Sequence, residues 1–155
     1  MSDPVRKFEH AHVELVRLAL EVRDLVHAAA PGQPARKRLV DCLQALRDEL
    51  LVHFANEEEG LFPFLRTNVP TKAETVDRLE SAHDAICGSI LRLAHLAAGG
   101  RDSHPAPPAA LSALYERFEA TFATHSQAEA ALFEELGRLL DDRQRTALAE
   151  LLRGL

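Results

Sequence analysis

Apolar residues recur at spacings of three and four along four long stretches of this chain, and clusters of Pro and Gly separate the stretches. That period puts one apolar face on a helix and excludes a strand, whose side chains alternate with a period of two. The first stretch, about Asp3 to Ala29, aligns Val5, Phe8, His12, Leu15, Ala19, Val22 and Val26. The second, about Ala35 to Arg66, aligns Leu39, Leu43, Leu46, Leu50, His53, Glu57 and Leu61. The third, about Thr71 to Ala98, carries Val76, Leu79, His83, Ile86, Ile90 and Leu93. The fourth, about Pro108 to Leu140, carries Leu111, Leu114, Phe118, Phe122, His125, Glu129, Leu132 and Leu136.

Helices of this length run about 40 Å at ~1.5 Å per residue. Breaks fall at Pro31-Gly32-Gln33-Pro34, at Asn68-Val69-Pro70, and from Gly99 to Pro108. Four such helices on short loops predict an all-α, up-down-up-down four-helix bundle. A short fifth helix, about Asp142 to Arg153, is expected to pack across one end. Pro63 is expected to kink or end the second helix, because its ring displaces the carbonyl four residues back and it has no N–H to donate. At 155 residues the whole chain, 1–155, reads as one domain with a core of about 5–140.

A net charge of −6 argues against nucleic acid or an anionic membrane as the main partner. No apolar run approaches the ~18 residues a membrane span needs, and the charged start MSDPVRKFEHAHVEL does not read as a signal peptide. Two cysteines, Cys42 and Cys87, form no disulfide framework and suit a reducing compartment. The expected location is cytoplasmic.

Polar residues interrupt every apolar stripe at mid-height. Two stripes carry a single histidine, His12 and His83, and two carry His-x-x-x-Glu, at His53/Glu57 and His125/Glu129. An i,i+4 pair shares one helix face. His53 follows His12 by 41 residues and His125 follows His83 by 42, so the two halves repeat. One histidine on an apolar face is usually a hydrogen-bonded core residue. Four of them with two carboxylates are another matter, because a buried carboxylate costs several kcal/mol unless paired or metal-bound. Arg47, Arg78, Arg92 and Arg117 all lie off these faces. A metal site satisfies all six groups, and imidazole with carboxylate suits iron, manganese or zinc better than calcium or magnesium.

The order His, His-x-x-x-Glu, His, His-x-x-x-Glu on four helices resembles the hemerythrin-like, or HHE cation-binding, family. The segment from His53 through Glu57, Glu58 and Glu59 to Pro63 is similar to that family's second-helix signature, and His125-Ser-Gln-Ala-Glu129 to its fourth. The resemblance covers about residues 5–140. It implies a binuclear, oxo- or hydroxo-bridged site for two Fe ions, with Mn or Zn as substitutes. Glu57 and Glu129 would bridge, and His12, His53, His83 and His125 would cap. The family's oxygen carriers have a second histidine where this chain has Cys87, and His-x-x-x-x-Asp where it has His125-x-x-x-Glu129 followed by Ala130. Those departures turn the expectation from oxygen carriage toward a small diatomic or peroxide ligand bound at the bundle centre. Catalase-like or peroxidase-like decomposition is the catalytic form of that reading, in a monomer or weak homodimer. A non-catalytic metal sensor or storage module is the alternative.

The other polar residues carry less. His10 projects away from His12's face, His27 is too far along its helix, His95 is off the face of His83, and His104 lies in the Pro-rich loop. Glu9 and Glu80 read as peripheral carboxylates. Glu58 and Glu59 read as a solvated acidic run, with Glu58 contacting a metal as the sharper reading. Cys87 is either apolar filler or a thiolate facing the site, Cys42 is filler, and Tyr115 is core.

Overall fold

The computed structural model describes residues 3–28, 33–99 and 107–155, and every regular element among them is helical. In chain order these are α1 (Pro4–Ala28), α2 (Gln33–Asn56), a π-helical turn (Glu57–Leu61), α3 (Phe62–Asn68), a 3-10 turn (Pro70–Lys72), α4 (Ala73–Ala97), α5 (Pro108–Leu139) and α6 (Asp142–Arg153). Pro31, Gly32 and His104 lie outside the described residues. No described helix is long and apolar enough to cross a membrane.

The predicted stripes are the buried faces, except that on the fourth Leu114 is half-buried and Tyr115 beside it is buried. Helix α1 buries Val5, Phe8, His12, Leu15, Ala19, Val22 and Val26, and α4 buries Val76, Leu79, His83, Ile86, Ile90 and Leu93. Helix α1 packs on α2 and α5, α2 on α4, and α4 on α5, so the four long helices contact one another in a closed cycle. Burial of each large apolar side chain stabilises by about 1.5–3 kcal/mol.

The apolar core falls into two blocks. One contains Leu15, Leu46, Leu50, Phe54, Ile86, Ile90, Tyr115, Phe118 and Phe122. The other contains Phe8, Leu61, Phe62, Leu79, Leu132, Phe133, Leu136 and Leu148. Between the blocks in sequence, on all four long helical segments, come the buried polar residues His12, His53, Glu57, His83, His125 and Glu129. Tyr115 lies wholly inside the first block, its hydroxyl donating to the Ala19 carbonyl.

The second helix departs from expectation at a definite place. Rather than breaking at Pro63, it widens just upstream, where Phe62 N–H donates to the Glu57 carbonyl five residues back. Pro63 then occupies the first turn of α3, where no N–H is needed. An unbroken α-helix would aim the Glu59 carbonyl at the proline ring; the wider turn relieves that conflict. The helix ends at Asn68, and Pro70 opens the turn into α4. Helix α4 ends at Ala97, and beyond its cap Ala98 the chain turns at Gly99, whose φ of 110° lies in the left-handed region that glycine adopts without strain.

Helix α6 is anchored from both ends. Asp141 accepts from Gln144 N–H while the Gln144 side chain accepts from Asp141 N–H, a full capping box. Arg145 donates to the Gly137 and Leu140 carbonyls and pairs with Asp3 at 2.8 Å. Leu148 is fully buried. Leu152 and Leu155 rest on Gly60 in the π turn: a Cβ there would lie 2.7 and 2.9 Å from their methyl carbons.

Candidate metal centre

The six polar residues of the stripes converge in two triads. His12, His53 and Glu129 form one, and Glu57, His83 and His125 the other; within each, one ligand atom per residue lies within 4.8 Å of the others. All six residues are buried, with exposures from 0% at Glu57 to 8% at His12.

The two carboxylates tie the triads together. Glu57 Oε1 lies 3.1 Å from His53 Nε2, while its Oε2 lies 3.2 Å from His83 Nε2. Glu129 Oε1 lies 3.3 Å from His53 Nε2, and its Oε2 lies 2.6 Å from His12 Nδ1 and 3.7 Å from His125 Nε2. Each carboxylate therefore touches histidines of both triads. Yet among the described residues His12 Nδ1, both Glu57 oxygens, His83 Nε2, both His125 nitrogens and Glu129 Oε2 have no hydrogen-bond partner. Their contacts are close but fall outside hydrogen-bond geometry. Buried polar atoms left so are rare and expensive. Five of the six residues thus offer an unpartnered ligand atom within a close cluster, an arrangement that fits a cation.

The electrostatics describe a donor set that shares protons unevenly. Burial, with the Glu129 carboxylate beside it, pushes Glu57 up to about 7. Burial also works on Glu129, but Glu57, His12 and His53 outweigh it and hold this carboxyl well below the usual range. At His53 burial opposes the proton, but the carboxylates of Glu129 and Glu57 prevail and raise it to about 10. Burial lowers His125 to about 4. At His83 burial again opposes the proton, and Glu57 and Glu58 reverse the sign and raise it.

Aromatic rings wall the site. The His83 ring stacks with Phe54, at 3.7 Å and 11°, and with Phe62, at 5.5 Å and 23°. Phe133 meets His12 edge-on, and Phe8 meets His53 edge-on. Leu46, Leu50, Phe122 and Leu132 are buried in the adjoining core. Two surface clefts reach the histidines. One, of about 190 Å³, runs past Lys7, Phe8, Ala11 and Val52 to His53. The other, of about 730 Å³, lies between α4 and α5 and reaches His125 past Ala82, Thr124 and Ala128.

Glu58 is the residue the sequence reading undervalued. It is exposed as a solvated face requires, but its Oε1 lies 2.7 Å from His83 Nδ1. The signal was its place directly after the His-x-x-x-Glu carboxylate. The Phe54–His83–Phe62 stack was not foreseen either. Cys87 is half-buried, packs against the first apolar block and belongs to neither triad; burial raises its thiol, as does Glu58. Cys42 likewise packs as filler. His10, His27, His95 and Glu9 are exposed, and Glu80 pairs with Arg66 at 2.5 Å.

Two buried triads of two histidines and a carboxylate, joined through those carboxylates inside a helical core, make a cation-binding helical domain. The model of the hemerythrin HHE cation binding domain matches residues 3–136. The chain thus belongs to the hemerythrin family. Neither curated proteins nor solved structures yield a match.

Proposed function

We propose that this chain is a single-domain, up-down-up-down bundle that holds two iron ions on His12, His53, Glu57, His83, His125 and Glu129 and binds dioxygen, peroxide or a related small oxidant there. The observation that carries the reading is the pair of carboxylates that each touch both triads while leaving oxygens unpartnered. Glu57 and Glu129 suit bridging roles, and together they offset part of the charge of a metal pair. An iron pair, when bound, supplies redox chemistry toward small oxidants and Lewis acidity. The protein's part is to orient six donors, keep bulk water out with Leu46, Leu50, Phe122 and Leu132, and admit small molecules through the clefts at His53 and His125. Disproportionation of hydrogen peroxide is the reaction to test first, since it needs no partner reductant.

Elemental mass spectrometry of protein purified without added metal checks the site; close to two irons per chain is expected. Peroxide added to that protein should then release oxygen. No bound metal after anaerobic incubation with ferrous iron would overturn the reading. A second reading, a non-catalytic metal sensor or storage module, draws support from the burial of all six donors within the helix contacts, which couples loading to bundle stability. It expects the same metal content without oxygen release.

A further inference from the structure

We propose that Glu58 is a positioning residue for His83, selecting the ring orientation and tautomer that present Nε2 to the site. The proposal rests on the reading of the six donors as a metal site. Helix packing and stacking alone leave His83 ambiguous. The Phe54 and Phe62 rings, at 11° and 23° to it, fix the plane of the imidazole. Stacked rings are indifferent to a half-turn within that plane, which exchanges nitrogen for carbon at each edge, and to which nitrogen carries the proton. A hydrogen bond at one nitrogen removes both ambiguities.

Glu58 Oε1, 2.7 Å away, accepts that bond from Nδ1–H. The lone pair is then left on Nε2, which is buried, has no hydrogen-bond partner among the described residues, and lies 3.2 Å from Glu57 Oε2. One imidazole thus faces the carboxylates of consecutive residues at its two nitrogens, bonded at Nδ1 and left open at Nε2. The π turn makes this possible. Its turn is wider than an α-helical one, so neighbouring side chains diverge less and Glu57 and Glu58 both reach α4. Pi turns of this kind are frequent at functional sites. The other end of the bond is in water: the Glu58 side chain is 42% exposed. The contact therefore contributes little to holding the fold together, and its value lies in the orientation of His83.

Glu58→Leu removes the acceptor, and Glu58→Gln keeps an acceptor oxygen without the charge. The full chain is titrated anaerobically with ferrous iron, and separately loaded with zinc for nitrogen-15 correlation spectra of the histidines. The zinc-loaded native protein should show His83 with its proton on Nδ1. In Glu58→Leu the ferrous affinity should fall by ~10- to 100-fold and the His83 nitrogen pattern should change. Glu58→Gln should recover most of both, and the melting temperature of metal-free protein should be the same in all three. Native affinity and an unchanged His83 pattern in Glu58→Leu would overturn the proposal while leaving the metal site intact. Failure of the native chain to take up either metal would overturn the site itself. If Glu58→Leu does not fold, Glu58→Ala takes its place with the same two readouts: weakened ferrous binding with an altered His83 nitrogen pattern supports the role, and native affinity with an unchanged pattern overturns it.

Discussion

Glu57 sits where its own burial and the carboxylate of Glu129 both oppose its ionisation, and its pKa rises to about 7. A side chain placed so unfavourably marks a position shaped by something other than stability. Glu57→Leu is accordingly expected to change the stability of metal-free protein by no more than about 2 kcal/mol, because the ionisation cost it removes offsets the lost contacts to His53 and His83, and Glu129 remains beside His53. Urea unfolding of the metal-free chain measures this. The same variant should lose metal, since both triads lose a shared oxygen pair. A variant that is less stable yet still takes up close to two irons would show that Glu57 is an ordinary structural carboxylate.

The element that sets this site apart from a plain bundle is the turn at Glu57–Leu61, with α6 seated on it through Gly60. A methyl group at Gly60 would meet only the tips of the Leu152 and Leu155 side chains, which can rotate away. Gly60→Ala should therefore change stability by less than about 1 kcal/mol, while the larger Gly60→Ile should lift α6. Hydrogen exchange across Asp142–Arg153 would register that as lost protection in the second variant alone. Asp141→Ala, which removes the capping box, should cost about 1 kcal/mol in thermal or urea unfolding. Most of this architecture was legible in the chain. The third stripe was expected from Thr71 to Ala98 and α4 runs from Ala73 to Ala97, because an uninterrupted 3.6-residue period leaves little freedom about where a helix lies. The six convergent side chains were legible for the same reason: His-x-x-x-Glu fixes two donors on one face. The π turn was not, since the period alone cannot say on which side of Pro63 the helix will yield. Nor was the Glu58 contact, which depends on that local widening and on how α4 packs against it.

For the molecule as a whole, the proposed site sets protons and metal in competition for one set of atoms. In metal-free protein Glu57 is raised to about 7 and His53 to about 10, so both hold protons more tightly when folded. Their contributions are fully present below the unfolded values, near 4.5 and 6.5, and are lost as pH rises through about 7 and about 10. His125 acts oppositely: lowered to about 4, it destabilises the fold as pH falls from 6.5 toward 4. Metal requires the same donors deprotonated. The gap in melting temperature between loaded and metal-free protein should therefore widen from pH 5.5 to 8, with affinity rising roughly tenfold per pH unit for each proton displaced. Scanning calorimetry at matched free metal measures it. A gap independent of pH would place the metal away from Glu57 and His53.

The wall of the site has a chemical side as well as a steric one. Reactive oxygen species attack whatever lies nearest, and Met, Trp, Tyr and thiolate suffer first. Against the histidines stand Phe8, Phe54, Phe62 and Phe133, with Leu46, Leu50 and Phe122 buried in the adjoining core. The chain has no Trp, its one Met is the first residue, and its one Tyr is spoken for by the Ala19 carbonyl. Both cysteines are held toward the less reactive thiol form. A phenylalanine and leucine lining is chemically inert lining, and a pocket built from it would outlast many encounters with an oxidant that consumed a more electron-rich one.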